Sequence, residues 1–246
     1  MRAVAGLVAL ALLAGCGGGR DAPALVTETV GRGAQSATII RPDSEGALPV
    51  VVFLHGWGAT QPRFYRPWLD HLARRGNAVI YPRYQDSFVE PPAQALGNVL
   101  TGVRLALRRV RERPRTLVVA GHSAGGALAA DYAAIARTTK LPEPVGVFSA
   151  YPGRELRRLP VGIPEIDPGR IDPATRVLAL AGSADTVVGD RAARRLVGRA
   201  GARQKRLVLV DDPAAADHLG PQRSDTAARR EFWARLDALI SAARGG

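Results

Sequence analysis

Ser123 stands between two glycines in Gly121-His122-Ser123-Ala124-Gly125, directly after an apolar run and directly before an alanine-rich stretch. A serine hydroxyl is a poor nucleophile until a neighbouring base takes its proton. A tight strand-to-helix turn presents such a serine well, but its strained backbone demands small neighbours. Gly121, Ala124, Gly125, Gly126 and Ala127 meet that demand. A helix starting behind the serine also favours negative charge developing in front of it. The pattern predicts attack by the Ser123 hydroxyl on a carbonyl carbon.

Histidine suits the role of base near neutral pH. The chain has four: His55, His71, His122 and His218. In a strand–turn–helix arrangement the order is serine, acid, histidine, and only His218 lies beyond Ser123. It sits in Asp217-His218-Leu219-Gly220, after the last apolar run and before the last helical pattern. A carboxylate must hold its tautomer and balance its charge. Asp185, in Gly182-Ser183-Ala184-Asp185-Thr186-Val187-Val188, is the leading candidate. Asp190 and Glu155 are rivals, Asp190 being better placed for the first turn of the next helix. Asp211 and Asp212 read as turn residues.

The fourth part is a site for the oxyanion. His55-Gly56-Trp57-Gly58 follows another apolar run, and its glycines let backbone N–H groups face a reacting carbonyl. The expected donors are the amides of Trp57 and Ala124; one such donor is typically worth ~10²–10³ in rate. His55 reads as a structural residue bonded within its loop. The Trp57 ring either forms a wall of the substrate pocket or covers the core. Tyr81-Pro82-Arg83-Tyr84-Gln85 lies at the same edge, which makes Tyr84 a candidate substrate contact, with Arg83 meeting an acidic group. The alternative is an aromatic loop packed over the sheet.

These loops need a scaffold. Apolar runs at 25–29, 36–41, 49–54, 77–81, 116–120, 145–148, 176–181 and 206–210 read as strands. Helical patterns at 65–75, 93–113, 126–137, 189–198 and 226–243 separate most of them. Strands alternating with helices imply an α/β fold: a mostly parallel sheet of about eight strands with helices on both faces. The first two strands have no helix between them and should form an antiparallel edge. Between Tyr151 and Asp172, prolines 152, 160, 164 and 168 exclude a long helix, so any lid is minimal and the pocket open. No repeat or linker interrupts 25–246, which reads as one domain, expected to be a monomer.

The formal charge of the 246 residues is +12, almost all arginine, with Lys140 and Lys205 the only lysines. Two readings stay open, attraction to anionic lipid or polymer and an arginine-rich solvated surface. No basic run is dense enough for a nucleic-acid stripe, so no nucleic-acid partner is expected. No His, Asp or Cys cluster has ligand spacing, so neither a metal nor an organic cofactor is expected.

The lone cysteine, Cys16, ends Leu13-Ala14-Gly15-Cys16 after an apolar run from Ala3 to Ala14. That run has the length of a signal h-region and is too short to span a bilayer. The segment resembles the lipobox of bacterial lipoproteins. The resemblance implies a signal peptide over 1–15, lipidation of Cys16, and a flexible tether over 16–24. It places the domain in the cell envelope, lipid-anchored to a membrane on the extracytoplasmic side.

The four catalytic motifs together resemble the α/β-hydrolase superfamily over about residues 36–243. The compact form is similar to its dienelactone-hydrolase, cutinase-like and chlorophyllase-like branches. Position 123 is serine where dienelactone hydrolases carry cysteine, and secreted cutinases usually carry disulfides that a single cysteine cannot form. The resemblance implies a carboxylesterase-like serine hydrolase acting on small-molecule or polymeric esters. The alternatives are amidase, peptidase, thioesterase or acyltransferase chemistry on the same triad, or a surface lipoprotein that only binds a ligand.

Overall fold

Val50–Leu54 is apolar at every position because it is buried on both faces. Val50, Val52 and Leu54 enter one core and Val51 and Phe53 the other, since successive strand side chains point to opposite sides. A sheet covered on both faces needs such runs. The computed structural model describes residues 23–44, 46–110, 114, 116–155 and 162–244. The expected lipidation site Cys16, its signal segment and most of the tether lie outside these residues.

All eight expected strands are present, with ends shifted by at most two residues: β1 (Leu25–Val30), β2 (Ala37–Pro42), β3 (Val50–Leu54), β4 (Ala78–Pro82), β5 (Leu117–His122), β6 (Gly146–Ala150), β7 (Arg176–Gly182) and β8 (Gln204–Val210). They form one sheet in the order β1-β2-β4-β3-β5-β6-β7-β8. β1 and β2 pair antiparallel, as a short connection requires. β2 also runs antiparallel to β4, and the remaining pairs are parallel. The chain passes from β3 outward to β4 and then crosses back to β5 on the other side of β3. That reversal leaves a crevice at the carboxyl ends of β3 and β5.

The helices α2 (Ala95–Arg109), α3 (Ala124–Ile135) and α4 (Arg191–Arg199) cover one face. α1 (Arg66–Arg74) covers the other together with the C-terminal helix. Trp68, Leu69 and Leu72 of α1 are buried; full burial of a side chain of that size contributes roughly 1.5–3 kcal/mol. α3 is buried at every position from Ala124 to Ala134, and most of these residues are alanine or glycine.

Two elements differ from expectation. The long helix expected over 93–113 begins with a 3₁₀ turn at Pro92–Gln94 and its α-helical part stops at Arg109. The C-terminal helix is not uniform: α5 (Thr226–Ala228) passes through a π-helical turn, Arg229–Trp233, into α6 (Ala234–Arg244). The wider turn lets two adjacent aromatic rings reach the core. Phe232 meets Tyr151 edge-on at 5.5 Å and Trp233 stacks on Trp68 at 6.3 Å.

The described part of the 151–172 segment holds only a 3₁₀ turn, Pro168–Arg170. It is pinned to α3 by an ion pair whose carboxylate is buried. Both terminal nitrogens of Arg154 donate to Asp131, at 2.7 and 2.8 Å, and the amide of Ile166 donates to the same carboxylate. Burial pushes the Asp131 carboxyl up, against the pull of Arg154. Removing one partner strands the other charge: Arg154→Ala is expected to cost about 3–5 kcal/mol. Urea unfolding midpoints measure this, and Asp131→Leu in the same chain should restore most of the loss.

Candidate active site

Ser123 occupies the turn between β5 and α3 with φ 57° and ψ −122°, a conformation that costs a non-glycine residue about 1–3 kcal/mol. Its surroundings hold it there. The Ser123 N–H donates to Ala150 O, and its carbonyl accepts from the amides of Ala127 and Gly153. Gly125 explains part of the motif: a β-carbon there would stand 2.1 Å from Leu54 O and 2.4 Å from His55 O. Only glycine lets the Ser123 turn lie against the end of β3.

His218 arrives from the loop after β8 and Asp185 from the loop after β7, the neighbouring strand. His218 Nε2 is 3.0 Å from Ser123 Oγ, and His218 Nδ1 is 2.8 Å from Asp185 Oδ2. With Nδ1–H donating to the carboxylate, Nε2 is left to accept the serine proton. The other Asp185 oxygen accepts from the amides of Val187 and Val188. Burial pushes the Asp185 carboxyl up, but the His218 bond and those two amides outweigh it and hold the group below the usual 3.8. The rivals stand elsewhere: Asp190 pairs with Arg194 and Glu155 with Arg191.

The loop His55–Gly58 passes beside the serine. A β-carbon on Gly56 would lie 3.5 Å from Ser123 Cβ. The Gly56 amide donates to Tyr65 Oη and the Gly58 amide to Gln85 Oε1. For the Trp57 amide between them, no hydrogen-bond acceptor is found among the described residues. Ala124 is the first residue of α3, and a first-turn amide has no acceptor within its helix. His55 is structural in the manner expected, with both ring nitrogens 2.7 Å from carbonyls of Gly56 and Arg83. Burial lowers its pKa to about 4.

Tyr84 corrects the sequence reading. It is 0% exposed, stacks on His55 with ring centroids 4.1 Å apart, and donates its hydroxyl to His55 O. It therefore supports the loop from beneath and offers no surface to a ligand. The Trp57 ring is partly exposed and donates its Nε1–H to Phe88 O. A cavity of about 120 Å³ lies beside the start of α3, with Ala127, Gly153, Val187 and Val188 in its wall.

Two residues that sequence reasoning did not single out join these loops. Tyr65 and His122 are buried and hydrogen-bonded to each other at 2.8 Å. His122 Nε2 lies 2.8 Å from the carbonyl of His218. The signal available was a bulky imidazole at the variable position of a motif that otherwise demands small residues. Among the described residues no group of three or more His, Cys, Asp or Glu is gathered for a metal ion, and no helix is long and apolar enough to cross a membrane.

This sheet order, with the Ser123 turn after β5, is the α/β-hydrolase fold, and residues 51–170 match a family model described by that fold. A thermostable esterase from Pseudomonas putida has a similar structure, with 18% identity, a TM-score of 0.68, and 91% of this chain and 84% of that one covered. An esterase from Rhizomucor miehei matches with 18% identity, a TM-score of 0.69 and the same coverage. A Klebsiella pneumoniae protein assigned as a dienelactone hydrolase matches at 19% identity and 0.65, covering 89% of this chain and 99% of its own. No curated protein matches the chain.

The depressed Asp185 pKa has a consequence for stability. A group held below its unfolded value stabilises the fold fully above that value and loses the contribution as pH falls through the folded one. Asp185→Asn should therefore be less stable than wild type near neutrality, with the gap narrowing below the ordinary carboxylate value of 3.8. Urea midpoints measured at about pH 6 and about pH 3 test this. An unchanged gap would show that Asp185 is not held as an anion by these partners.

Proposed function

We propose that this protein is a serine hydrolase of carboxylic esters that works through an acyl-enzyme. The observation that carries the reading is the unbroken hydrogen-bonded line from Ser123 Oγ through His218 to Asp185. The matched family model and the esterase neighbours support an esterase-like hydrolase.

In the proposed reaction Ser123 Oγ attacks the ester carbonyl carbon while its proton passes to His218 Nε2. Asp185 balances the imidazolium, and the amides of Trp57 and Ala124 receive the oxyanion. When the carbon–oxygen bond to the alcohol breaks, His218 returns the proton to the leaving oxygen. Water, deprotonated by His218, then attacks the acyl group and frees the carboxylic acid and Ser123.

The substrate is expected to be an apolar ester, small or extended. Six large apolar side chains stay exposed among the described residues. Five of them, Phe64, Phe88, Val89, Val187 and Leu219, lie on loops at the carboxyl edge of the sheet.

Release of p-nitrophenol from short acyl esters, and labelling by a fluorophosphonate, test the reading. Ser123→Ala should abolish both, and Asp185→Asn should lower kcat by ~10⁴. A folded protein that neither hydrolyses esters nor labels, or that labels equally after Ser123→Ala, would favour a binding protein. Faster turnover of amides than of matched esters would favour an amidase.

We also propose, from the apolar run before Leu13-Ala14-Gly15-Cys16, that a lipid on Cys16 holds the domain at a membrane facing outward. One myristoyl-sized chain gives only marginal membrane binding, about 10⁴ M⁻¹, and stable anchoring needs a second. On expression in a bacterium, wild type should partition into a detergent phase and Cys16→Ala into the aqueous phase. Equal partitioning would remove the anchor.

A further inference from the structure

Tyr65 and His122 are fully buried polar residues that the reaction does not use. Tyr65 stands just before α1 and His122 ends β5, 57 residues later. Three hydrogen bonds run through them in series. Gly56 N–H donates to Tyr65 Oη at 2.9 Å; Tyr65 Oη lies 2.8 Å from His122 Nδ1; His122 Nε2 lies 2.8 Å from His218 O. Gln222, from the stretch just after His218, also contacts the Tyr65 hydroxyl. One end of the series is the amide preceding Trp57 and the other is the backbone of His218.

The direction of the series follows from its ends. A carbonyl oxygen can only accept, so His122 carries its proton on Nε2. Burial is the main influence on the His122 ring, with the nearby His218 adding to it, and together they lower its pKa to about 3. The ring is therefore neutral and its Nδ1 bare. A bare Nδ1 needs a donor, so the Tyr65 hydroxyl must give its proton to His122. The Tyr65 oxygen is left to accept the Gly56 amide, itself only a donor. With the ring neutral, this arrangement satisfies every polar atom in the series, whereas the opposite tautomer would set a bare Nε2 against a carbonyl.

We propose that Tyr65 and His122 are positioning residues that tie the oxyanion loop to the loop carrying His218. The inference rests on the serine-hydrolase reading above and extends it. The base and the oxyanion donors must be correct together in the transition state, yet they come from loops at β8 and β3, which are not neighbours in the sheet. β5, β6 and β7 stand between those strands. The series crosses the gap beneath Ser123, and His122 joins it from the position next to the nucleophile.

A role of this kind acts on transition-state geometry and not on ground-state binding. Tyr65→Phe keeps the ring and removes the one hydroxyl, leaving Gly56 N–H and His122 Nδ1 without partners. It is expected to lower kcat on p-nitrophenyl acetate about tenfold, with KM changed less than about twofold. His122→Leu should lose as much. His122→Gln supplies one acceptor and one donor and should recover most of kcat. The double variant Tyr65→Phe with His122→Leu should be no slower than the slower single variant, because both break the same series.

Wild-type kcat in folded Tyr65→Phe, or losses that multiply in the double variant, would overturn the proposal. So would equal losses in His122→Gln and His122→Leu. If Tyr65→Phe fails to fold, ¹⁵N resonances of the wild-type imidazoles decide: a protonated Nε2 and bare Nδ1 on His122 are expected, and the opposite tautomer or a charged ring overturns the inference. The Ser123 reading is scored separately, by loss of fluorophosphonate labelling in Ser123→Ala.

Discussion

The whole edge of the sheet is organised around one awkward backbone, that of Ser123. A left-handed serine with ψ −122° persists only where neighbouring contacts leave it no alternative. Those contacts come from three directions: the end of β3 against Gly125, the end of β6 through Ala150 O, and the following segment through Gly153 N–H. Strain recurs next to it. Tyr84 after β4 and Tyr151 after β6 also have positive φ, 40° and 49°. Each of these strained tyrosines props up a loop of the site. The Tyr84 hydroxyl donates to His55 O in the loop after β3, and the Tyr151 hydroxyl to Ala215 O in the loop that carries His218. Tyr81 does the same for Ala59 O. With Tyr65, four of the chain's five tyrosines act at this edge. In a protein poor in aromatics, they are concentrated where a rigid ring and one donor can hold irregular backbone in place.

Charge at the site is handled by the same economy of partners. Asp185 is the buried anion, and its two oxygens are occupied by His218 and by the amides of Val187 and Val188. Burial lowers the pKa of His122 and of His55, whose ring nitrogens face neutral polar atoms. Of the three imidazoles near Ser123, only that of His218 faces a carboxylate. His218 is thereby distinguished from its neighbours by its partners and not by residue type.

Much of this was readable from residue order. The eight strands, the antiparallel first pair and the three residues that meet at Ser123, Asp185 and His218 follow from apolar runs and from which loops end up at the carboxyl edge. Asp185 could be separated from Asp190 because the latter falls at the start of α4, where Arg194 one turn on is its natural partner. For Tyr84, edge position suggests a substrate contact, and the structure takes the alternative of an aromatic loop packed over the sheet. The loop there turns inward through a positive φ and buries the ring under His55, which nothing in the local pattern announces. Tyr65 and His122 were passed over for a related reason: their partners lie 57 and 96 residues away, and no periodicity encodes such a bond. The π-helical turn at Arg229–Trp233 is equally hidden, since its extra width is set by two rings competing for one core.

The exposed apolar side chains complete the argument from the outside inward. Most of the chain's cations are arginines, many of them held in surface ion pairs such as Arg137 with Glu143 and Arg191 with Glu155. Against that charged surface, Phe88, Val89, Val187 and Leu219 remain uncovered, all within a few residues of a loop that builds the site. Scattered apolar exposure needs no explanation, but exposure gathered at one edge does. Arg154 and the amide of Ile166 are both held against α3 by the Asp131 carboxylate. Asp131 and Arg154 thus fix the chain leaving β6 to α3, at the end of the sheet where those apolar side chains are gathered.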